Sequence, residues 1–385
     1  MGKVGLITFY ENNYGSILQC YATKYFLENH GYNCVVVSCK EVQQPNLVNK
    51  VGKYLRVAVR SLVFKSYYND FVLMKKATRN GNALSETTKR KMNDFVDEFI
   101  RPESFQMKKL RKIAKTNEFD KFIVGSDQVW NVSFDLNDFY FLTFSPYNKR
   151  IAFSVSIGLS KLSDYERYRL KNRIGLFSSI SVREKTGQQL LESIGAKNVK
   201  KLSDPTVLLD REEWQKFEDA KKCCELGQHY ILLHFLNMPS DAALQYINYI
   251  QETTNSKSIM IGYNYPNLNK KFRFEFYEAD PREYIAWINH ADLVLTDSYH
   301  TTLFSINLGT SFYAFRRMYN HNSPQESRLT DLLEDLNMSD RYISGKNAAV
   351  CLGEKCRITC NEILEEDRRQ LQQWLLKKVS AKEEQ

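Results

Sequence analysis

Short apolar segments alternate with longer amphipathic segments along most of the sequence, and this alternation constrains the fold more than any other feature. Each apolar segment has the length of one buried strand, and the longer segments have the period of a helix. Strands are predicted at residues 4–9, 35–38, 121–124, 149–158, 180–184, 230–235, 258–262, 293–295 and 311–315. Helices are predicted at residues 15–30, 164–177, 185–194, 211–220, 240–253, 281–290 and 361–379. The pattern predicts an α/β fold with parallel sheets covered by helices.

The length of 385 residues favours two domains. A polar junction near residues 205–228 separates two successive series of strands and helices, so we expect an N-terminal Rossmann-like domain at 1–210 and a C-terminal one at 228–350. We expect the two domains to face each other across a cleft. Residues 45–115 are predicted to be a basic helical insertion in the first domain, and residues 351–385 a C-terminal helical segment. The apolar side of its helix is predicted to contain Ile363, Leu364, Leu371, Trp374 and Leu375.

The junction between strand 293–295 and the helix that follows it is the first candidate site. Ser298 can cap this helix, and His300, Thr301 and Thr302 lie in or near its first turn. Free backbone N–H groups and the helix dipole favour an anion there, which would place a titratable imidazole beside an anion site. The alternative is an ordinary capped turn with a structural histidine.

Two more turns have the same character. Asn13, Gly15 and Ser16 lie where the first helix begins, which offers a second turn able to bind an anion or a hydroxyl group. This turn lacks the G-x-G-x-x-G pattern, so no dinucleotide is implied. Residues 125–128 follow a buried strand and end at its carboxyl edge, where open α/β sheets bind ligands. They are Gly125, Ser126, Asp127 and Gln128.

Three arginines follow predicted strands and are candidate anion ligands. Arg183 ends the strand at 180–184, and Arg316 and Arg317 follow the strand at 311–315. A guanidinium can donate two parallel hydrogen bonds to a carboxylate or phosphate. For Arg183 the alternative is a salt bridge with Glu184 or Glu192.

The net charge is +9, and the excess of basic residues is concentrated at 49–115 among aromatic and aliphatic residues. This composition fits either solvated helix faces, which we favour, or peripheral contact with an anionic membrane. Nucleic-acid binding is not expected, because no recognition motif accompanies the charge. We also expect no spanning helix and no signal peptide, and therefore a cytoplasmic location.

The eight cysteines lie mostly within periodic segments, as free thiols of a reduced compartment do, and no disulfide is expected. Cys351, Cys356 and Cys360 form a cluster that lacks a fourth ligand at standard spacing. We therefore expect no metal site.

Six short motifs in order along the chain resemble the polysaccharide pyruvyl transferase family. They are residues 13–19 (NYGSILQ), 125–131 (GSDQVWN), 156–158 (SIG), 181–184 (SVRE), 204–205 (DP) and 297–302 (DSYHTT). The resemblance implies a pair of Rossmann-type domains of the GT-B kind and transfer of pyruvyl from phosphoenolpyruvate to a sugar as a cyclic ketal. It implies no cofactor, since phosphoenolpyruvate is the donor substrate. The partner would be a sugar or a lipid-linked oligosaccharide acceptor.

The sequence departs from the family at Thr301, where glycine is common. A Cβ and a hydroxyl group at this position could change how closely a ligand approaches the turn.

With this resemblance, the candidate residues acquire roles. His300 would transfer protons, and Asp127 or Asp297 would orient a sugar hydroxyl or the imidazole. The phosphate and carboxylate of the donor would be held by the start of the helix and by arginines, namely Arg183 and either Arg316 or Arg317.

Two other functions are compatible with these residues. A glycosyltransferase of the GT-B type that uses a nucleotide-sugar would also need a phosphate site at a helix end and a histidine in the cleft. A catalytically silent carbohydrate-binding protein could have the same fold.

Overall fold

A computed structural model describes residues 2–43, 62, 84–131, 137–227, 229–254, 256–265, 268, 272–317, 327–344 and 362–381. Most of the basic segment at 49–83 and the cysteines at 351, 356 and 360 lie outside these residues. Among the described residues, no helix is long and apolar enough to cross a membrane.

The described strands form two sheets in which all pairs of neighbours are parallel. In the first sheet the order is β3-β2-β1-β4-β5-β6-β7, with β1 paired to both β2 and β4. Its strands are β1 Lys3–Ile7, β2 Asn33–Cys39, β3 Glu103–Phe105, β4 Lys121–Val124, β5 Arg150–Val155, β6 Ser179–Val182 and β7 Lys200–Lys201. The central strands are buried throughout, as in a sheet covered by helices on both faces.

The second sheet repeats this order as β10-β9-β8-β11-β12-β13. Its strands are β8 Tyr230–His234, β9 Lys257–Ile261, β10 Glu275–Tyr277, β11 Leu293–Thr296, β12 Phe312–Phe315 and β13 Tyr342–Ile343. In each sheet, successive strands are added first on one side of the first strand and then on its other side. The strand order therefore reverses between β1 and β4 in the first sheet and between β8 and β11 in the second. Ligands of open α/β sheets bind at the carboxyl edge of such a point.

Helices connect these strands, and several begin with a clear capping signal. Ser163 with Glu166, Asp210 with Glu213 and Asp280 with Glu283 form reciprocal capping boxes. The helices are α1 Tyr14–Asn29, α2 Lys40–Gln43, α3 Glu86–Phe95, α4 Met107–Ile113, α5 Asp164–Ile174, α6 Lys185–Ser193, α7 Arg211–Phe217, α8 Lys221–Leu226, α9 Asp241–Thr254, α10 Pro281–Asn289, α11 Tyr299–Leu308, α12 Ser327–Asp335 and α13 Glu362–Ser380.

The last helix, α13, lies across both domains. Arg368 donates from Nε to the carbonyl oxygen of Val207 at 2.8 Å and from Nη2 to Oδ1 of Asn307 at 2.6 Å. Val207 belongs to the first half of the chain and Asn307 to α11 in the second. The predicted apolar side is correct for Leu364, Leu371 and Leu375, which are buried, but wrong for Ile363, which is 38% exposed.

Each sheet and the helices that connect its strands form one Rossmann-like unit. This α/β architecture of two units confirms the predicted fold class. The last strand of the first sheet ends at Lys201 and the first strand of the second begins at Tyr230. Of the predicted helical insertion at 45–115, residues 84–115 and residue 62 are described. They contain α3 and α4, but Glu103–Phe105 form β3, in which Ser104 pairs with Ser38 of β2 at the edge of the first sheet.

Candidate active site

The carboxyl edges of the two sheets face each other, and a partly open cavity of about 200 Å³ lies between their reversal points. The loops after β1 and β4 supply one wall, and the segments after β8, β11 and β12 supply the other, together with α12. The lining residues are Phe9, Asn13, Ser16, Asp127, Gln128, Leu236, Ser298, Tyr299, His300, Arg317 and Arg328. Both domains therefore contribute to one cavity, and most of its lining residues have polar or charged side chains.

His300 lies in the first turn of α11 and reaches across to the first domain. Ser298 caps this helix, since its hydroxyl oxygen accepts from the backbone N–H of Thr301 at 3.4 Å. The imidazole packs directly against Gly15 at the start of α1, where an added Cβ would lie only 2.7 Å from the His300 Cβ and closer still to Nδ1. Glycine at position 15 therefore allows the close approach of the two helix starts.

The other ring nitrogen of His300 meets a buried ionic network. Its Nε2 lies 3.5 Å from Oδ2 of Asp204 and 3.3 Å from Nη1 of Arg183. Arg183 has a fully buried side chain and donates from Nη1 to Asp204 at 2.6 Å. Its Nε lies 3.2 Å from Glu184, and its Nη2 lies 3.5 Å from Asp127. Because one guanidinium is surrounded by three carboxylates, this network fixes the depth and orientation of the imidazole.

The charges in this network change the protonation of its carboxyl groups. Burial alone would raise the pKa of Asp204, but His300 and Arg183 outweigh it and hold that pKa well below its usual range. The pKa of Asp127 is likewise lowered against burial, by Arg183, by His300 and by the hydroxyl group of Ser16. Burial instead raises the pKa of Glu184, despite the nearby Arg183. Asp204 and Asp127 are therefore carboxylates near neutral pH.

Asp127 connects the network to the cavity. It accepts a hydrogen bond from the hydroxyl group of Ser16 and lines the cavity next to His300. Asn13, which also lines the cavity, caps α1 by accepting from the backbone N–H of Ser16 at 3.2 Å. The structure thus brings His300, Asp127, Asn13, Ser16 and Gly15 together as the sequence predicts.

Two guanidinium groups supply positive charge to the cavity. Arg317 lies just after β12 and donates from Nη2 to the carbonyl oxygen of Asp297 at 3.0 Å. Arg328, in α12, faces Gln128, whose amide oxygen can accept from Arg328 Nη2 at 2.8 Å. With the first-turn N–H groups of α11, these cations form a site suited to a small anion.

Arg183 is not a ligand-binding fork, because its side chain is fully buried behind His300 and paired with carboxylates. The alternative salt bridge to Glu184 is present, but Asp204 is the closer partner. Arg183 is therefore a positioning residue.

Several other residues predicted to bind substrate have side chains that point elsewhere. Ser126 is fully buried, and its hydroxyl oxygen lies 2.8 Å from the carbonyl oxygen of Ser154 and 3.1 Å from Oδ2 of Asp204. Gly125 has φ 113°, and an added Cβ there would collide with the Phe153 carbonyl group. Both residues shape the end of β4, Ser126 also holds Asp204, and neither of them lines the cavity.

Thr301 and Thr302 are also fully buried and absent from the cavity wall. The Thr301 hydroxyl group lies 2.7 Å from Nδ1 of His234 and 2.9 Å from the hydroxyl group of Tyr284, and Thr302 donates to the carbonyl oxygen of Ser298 at 3.0 Å. The threonine in place of the family's glycine therefore packs inside the second domain, away from the cavity.

Arg316 and Asp297 also differ from their predicted roles. Arg316 is exposed and does not line the cavity, so only Arg317 of this pair does. Asp297 accepts from the backbone N–H groups of Leu236 and Asn237 at 2.7 and 3.3 Å, which fixes the loop after β8. It orients that loop and Arg317, not the imidazole.

Sequence reasoning missed several residues of this site. Asp204 belongs to one of the six sequence motifs, but the motif alone assigns it no role. In the structure it is buried beside Arg183 and His300 and holds both side chains. The Arg183 guanidinium lies over the ring of Tyr299, with its Cζ 4.5 Å from the ring centroid. No pattern in the sequence points to Tyr299. Arg328 had no strand-end signal, because it reaches the cavity from a helix.

Comparison with solved structures shows the same fold at low sequence identity. UDP-GlcNAc 2-epimerase from Neisseria meningitidis, solved with UDP-GlcNAc bound, has a TM-score of 0.53 at 13% identity and covers 98% of this chain and 100% of its own. The enzyme of the same name from Methanocaldococcus jannaschii has a TM-score of 0.54 at 12% identity, with coverage of 97% and 99%. That from Rickettsia bellii has a TM-score of 0.53 at 12% identity, with coverage of 98% and 96%. Both units together thus have the GT-B arrangement.

A search of the curated proteins found no significant match. The family model described as polysaccharide pyruvyl transferase matches residues 13–317. This match spans most of the chain, from the residue that caps α1 to the arginine that follows β12, and includes both walls of the cavity except Phe9 and Arg328. The chain belongs to the polysaccharide pyruvyl transferase family.

Proposed function

We propose that the protein transfers the pyruvyl group of phosphoenolpyruvate to a sugar of a cell-surface polysaccharide or of its lipid-linked precursor, forming a cyclic ketal. The observation that carries the proposal is the small cavity in which His300 lies between the buried Asp204–Arg183 network and the cations Arg317 and Arg328. The family supports a transferase of this type.

The size and charge of the cavity favour a small anionic donor. Pockets for drug-sized ligands have volumes of roughly 300–1,000 Å³, whereas this cavity has about 200 Å³. A three-carbon donor with one phosphate and one carboxylate presents two anionic groups, which matches two guanidiniums and one helix start. A nucleotide-sugar would extend well beyond these groups.

The reaction needs one proton-transfer group and stable binding of two anionic groups. A proton adds to the methylene carbon of phosphoenolpyruvate, and a sugar hydroxyl oxygen bonds to C2 and loses its proton. The bond between C2 and the phosphate oxygen then breaks, and a second hydroxyl oxygen bonds to C2. Two hydroxyl protons are released in total. One replaces the proton that was added to the methylene carbon, and the other is taken up by the departing phosphate.

His300 is suited to move these protons. The ring lines the cavity together with Asp127, its Nε2 lies 3.5 Å from Asp204, and its Nδ1 side packs against Gly15. In the proposed reaction His300 is the group that transfers protons between the hydroxyl group and the donor. Asp127 orients the acceptor hydroxyl group, and Arg317, Arg328 and the start of α11 hold the donor.

The donor is a substrate, so the proposal includes no cofactor. We place the reaction in the cytoplasm, where a lipid-linked acceptor would be met at the inner face of the membrane. The basic composition at 49–115 would favour peripheral association with anionic lipids.

A thermal-unfolding screen tests the donor. Phosphoenolpyruvate at 100 times its dissociation constant should stabilise the protein by roughly 2.7 kcal/mol, whereas UDP-GlcNAc should not change the midpoint. If UDP-GlcNAc raised the midpoint and phosphoenolpyruvate did not, the protein would be a glycosyltransferase or another enzyme of nucleotide-sugars.

A second measurement tests the role of His300. With phosphoenolpyruvate and a lipid-linked oligosaccharide fraction, His300→Gln should slow phosphate release by roughly 10²–10⁴-fold. The same variant should retain the thermal shift with phosphoenolpyruvate, because the cations that hold the donor are unchanged. Near-normal release would show that His300 is structural.

A further inference from the structure

Two adjacent cysteines and a histidine lie together far from the cavity. Cys223 and Cys224 belong to α8, and His290 caps the carboxyl end of α10. One ligand atom from each, the two sulfurs and a ring nitrogen, all lie within 4.8 Å of one another. Cys223 is buried, whereas Cys224 and His290 are exposed, so the group is open to solvent on one side.

A carboxylate holds the histidine of this group. Nε2 of His290 lies 2.9 Å from Oε1 of Glu218, and the Asn289 amide donates to both carboxylate oxygens at 3.2 and 3.0 Å. Histidines that bind metals commonly donate the N–H of their other ring nitrogen to such a carboxylate, which fixes the tautomer and the ring orientation. Since Glu218 holds Nε2, the metal would bind Nδ1 of His290.

The donor set matches one class of ligand. Two thiolates and one imidazole are the ligands that zinc prefers, at distances of about 2.3 Å for sulfur and about 2.0–2.1 Å for nitrogen. Tetrahedral ligands at these distances are separated by roughly 3.4–3.8 Å. The present separations, of at most 4.8 Å, would have to shorten by about 1 Å, and the exposed side chain of Cys224 is the one with room to rotate.

We propose that Cys223, Cys224 and His290 bind a zinc ion, with Glu218 positioning the imidazole. Such an ion would fasten the connection between the two domains, to which α7 and α8 belong, onto α10 of the second domain. The same connection is also tied by Lys222, whose Nζ lies 2.7 Å from Glu283 of α10. The metal would therefore stabilise the attachment of this connection and would not take part in the reaction.

Titration of the reduced, full-length protein with Co²⁺ tests the proposal. Thiolate ligands should give a charge-transfer band in the near ultraviolet and tetrahedral geometry should give strong visible bands, both saturating at one ion per chain. Adding Zn²⁺ should abolish these bands and raise the midpoint of thermal unfolding.

Matched variants locate the site. Cys224→Ser and His290→Asn change exposed side chains, and each should remove the one-equivalent band and the Zn²⁺-induced rise of the midpoint while keeping the circular dichroism spectrum. The triple variant Cys351→Ser, Cys356→Ser, Cys360→Ser should retain both, because it leaves α8 intact. The proposal is overturned if reduced protein gives no band, if the band survives in Cys224→Ser, or if the triple variant removes it.

Discussion

Gly15→Ala tests whether the contact between the two helix starts positions His300. The change adds one methyl group in a negative-φ helical position, where replacing glycine normally stabilises a protein by about 0.4–1 kcal/mol. Here the new Cβ would lie 2.7 Å from the His300 Cβ, whereas ordinary contacts begin at 3.4 Å, and the ring atoms would be closer still. The His300 Cβ would have to withdraw by about 0.7 Å and the ring by more, but Asp204 and Arg183 lie against the other side of the ring.

Overpacking of this kind costs typically about 1–3 kcal/mol, and the midpoint should fall by roughly 2–4 °C for each kcal/mol. A displacement near 1 Å can cost about 10²-fold in rate, so phosphate release should fall by that order. Thermal unfolding and the rate of phosphate release are the two measurements.

Gly175→Ala is the matched control, because Gly175 also has helical φ, of −64°, and no atom lies within 4 Å of its added Cβ. It should leave both quantities unchanged or raise the midpoint slightly. If Gly15→Ala behaved like Gly175→Ala, the packing of His300 against α1 would not matter for its position.

Three other perturbations follow from the same structure. Arg183→Lys should lower the free energy of unfolding by about 1–3 kcal/mol, because buried carboxylates lose donors, and should lower kcat more than it raises the donor KM; a rise in KM alone would return Arg183 to a ligand-binding role. Burial, with a smaller contribution from Arg317, lowers the pKa of His234 from 6.5 to about 3, so the unfolded state takes up the proton first and folding loses stability as pH falls below 6.5. The advantage of the wild type over His234→Asn in chemical denaturation should therefore shrink by about 2 kcal/mol between pH 7 and pH 5, and an advantage independent of pH would contradict the assignment. If residues 49–115 contact lipid, the protein should float with anionic liposomes at low salt and not at high salt; no flotation at low salt would leave only solvated faces.

The alternation of strands and helices was predictable because each central strand is a continuous apolar run. Residues 121–124 and 293–295, for example, were assigned as strands from their apolar character, and both are central strands of parallel sheets. The edge strands β10 and β13 were not predicted, because three or two residues are too few to show a period. At β3 the basic composition around it favoured a helix.

The residues of the candidate site also fall into two groups, those indicated by local sequence signals and those whose role depends on distant parts of the chain. His300 was found because a strand, a cap and a helix follow one another in sequence, which are local signals. The burial of Arg183 depends on Asp204 and Asp127, and neither of these distant partners is adjacent to it in sequence. For Thr301 the sequence gives a position in the first turn, but the direction of its side chain depends on the packing of α11 against His234 and Tyr284.

Two adjacent arginines allow the most direct test of the cavity as the donor site. Arg317 lines the cavity and Arg316 is exposed outside it, so Arg317→Met and Arg316→Met remove the same charge at neighbouring positions. Isothermal titration with phosphoenolpyruvate should show one site in the wild type and in Arg316→Met, and a loss of about tenfold or more in affinity in Arg317→Met, since a hydrogen bond to a charged group contributes roughly 1.5–3 kcal/mol. Equal affinity in all three proteins, or binding of UDP-GlcNAc without binding of phosphoenolpyruvate, would contradict the account.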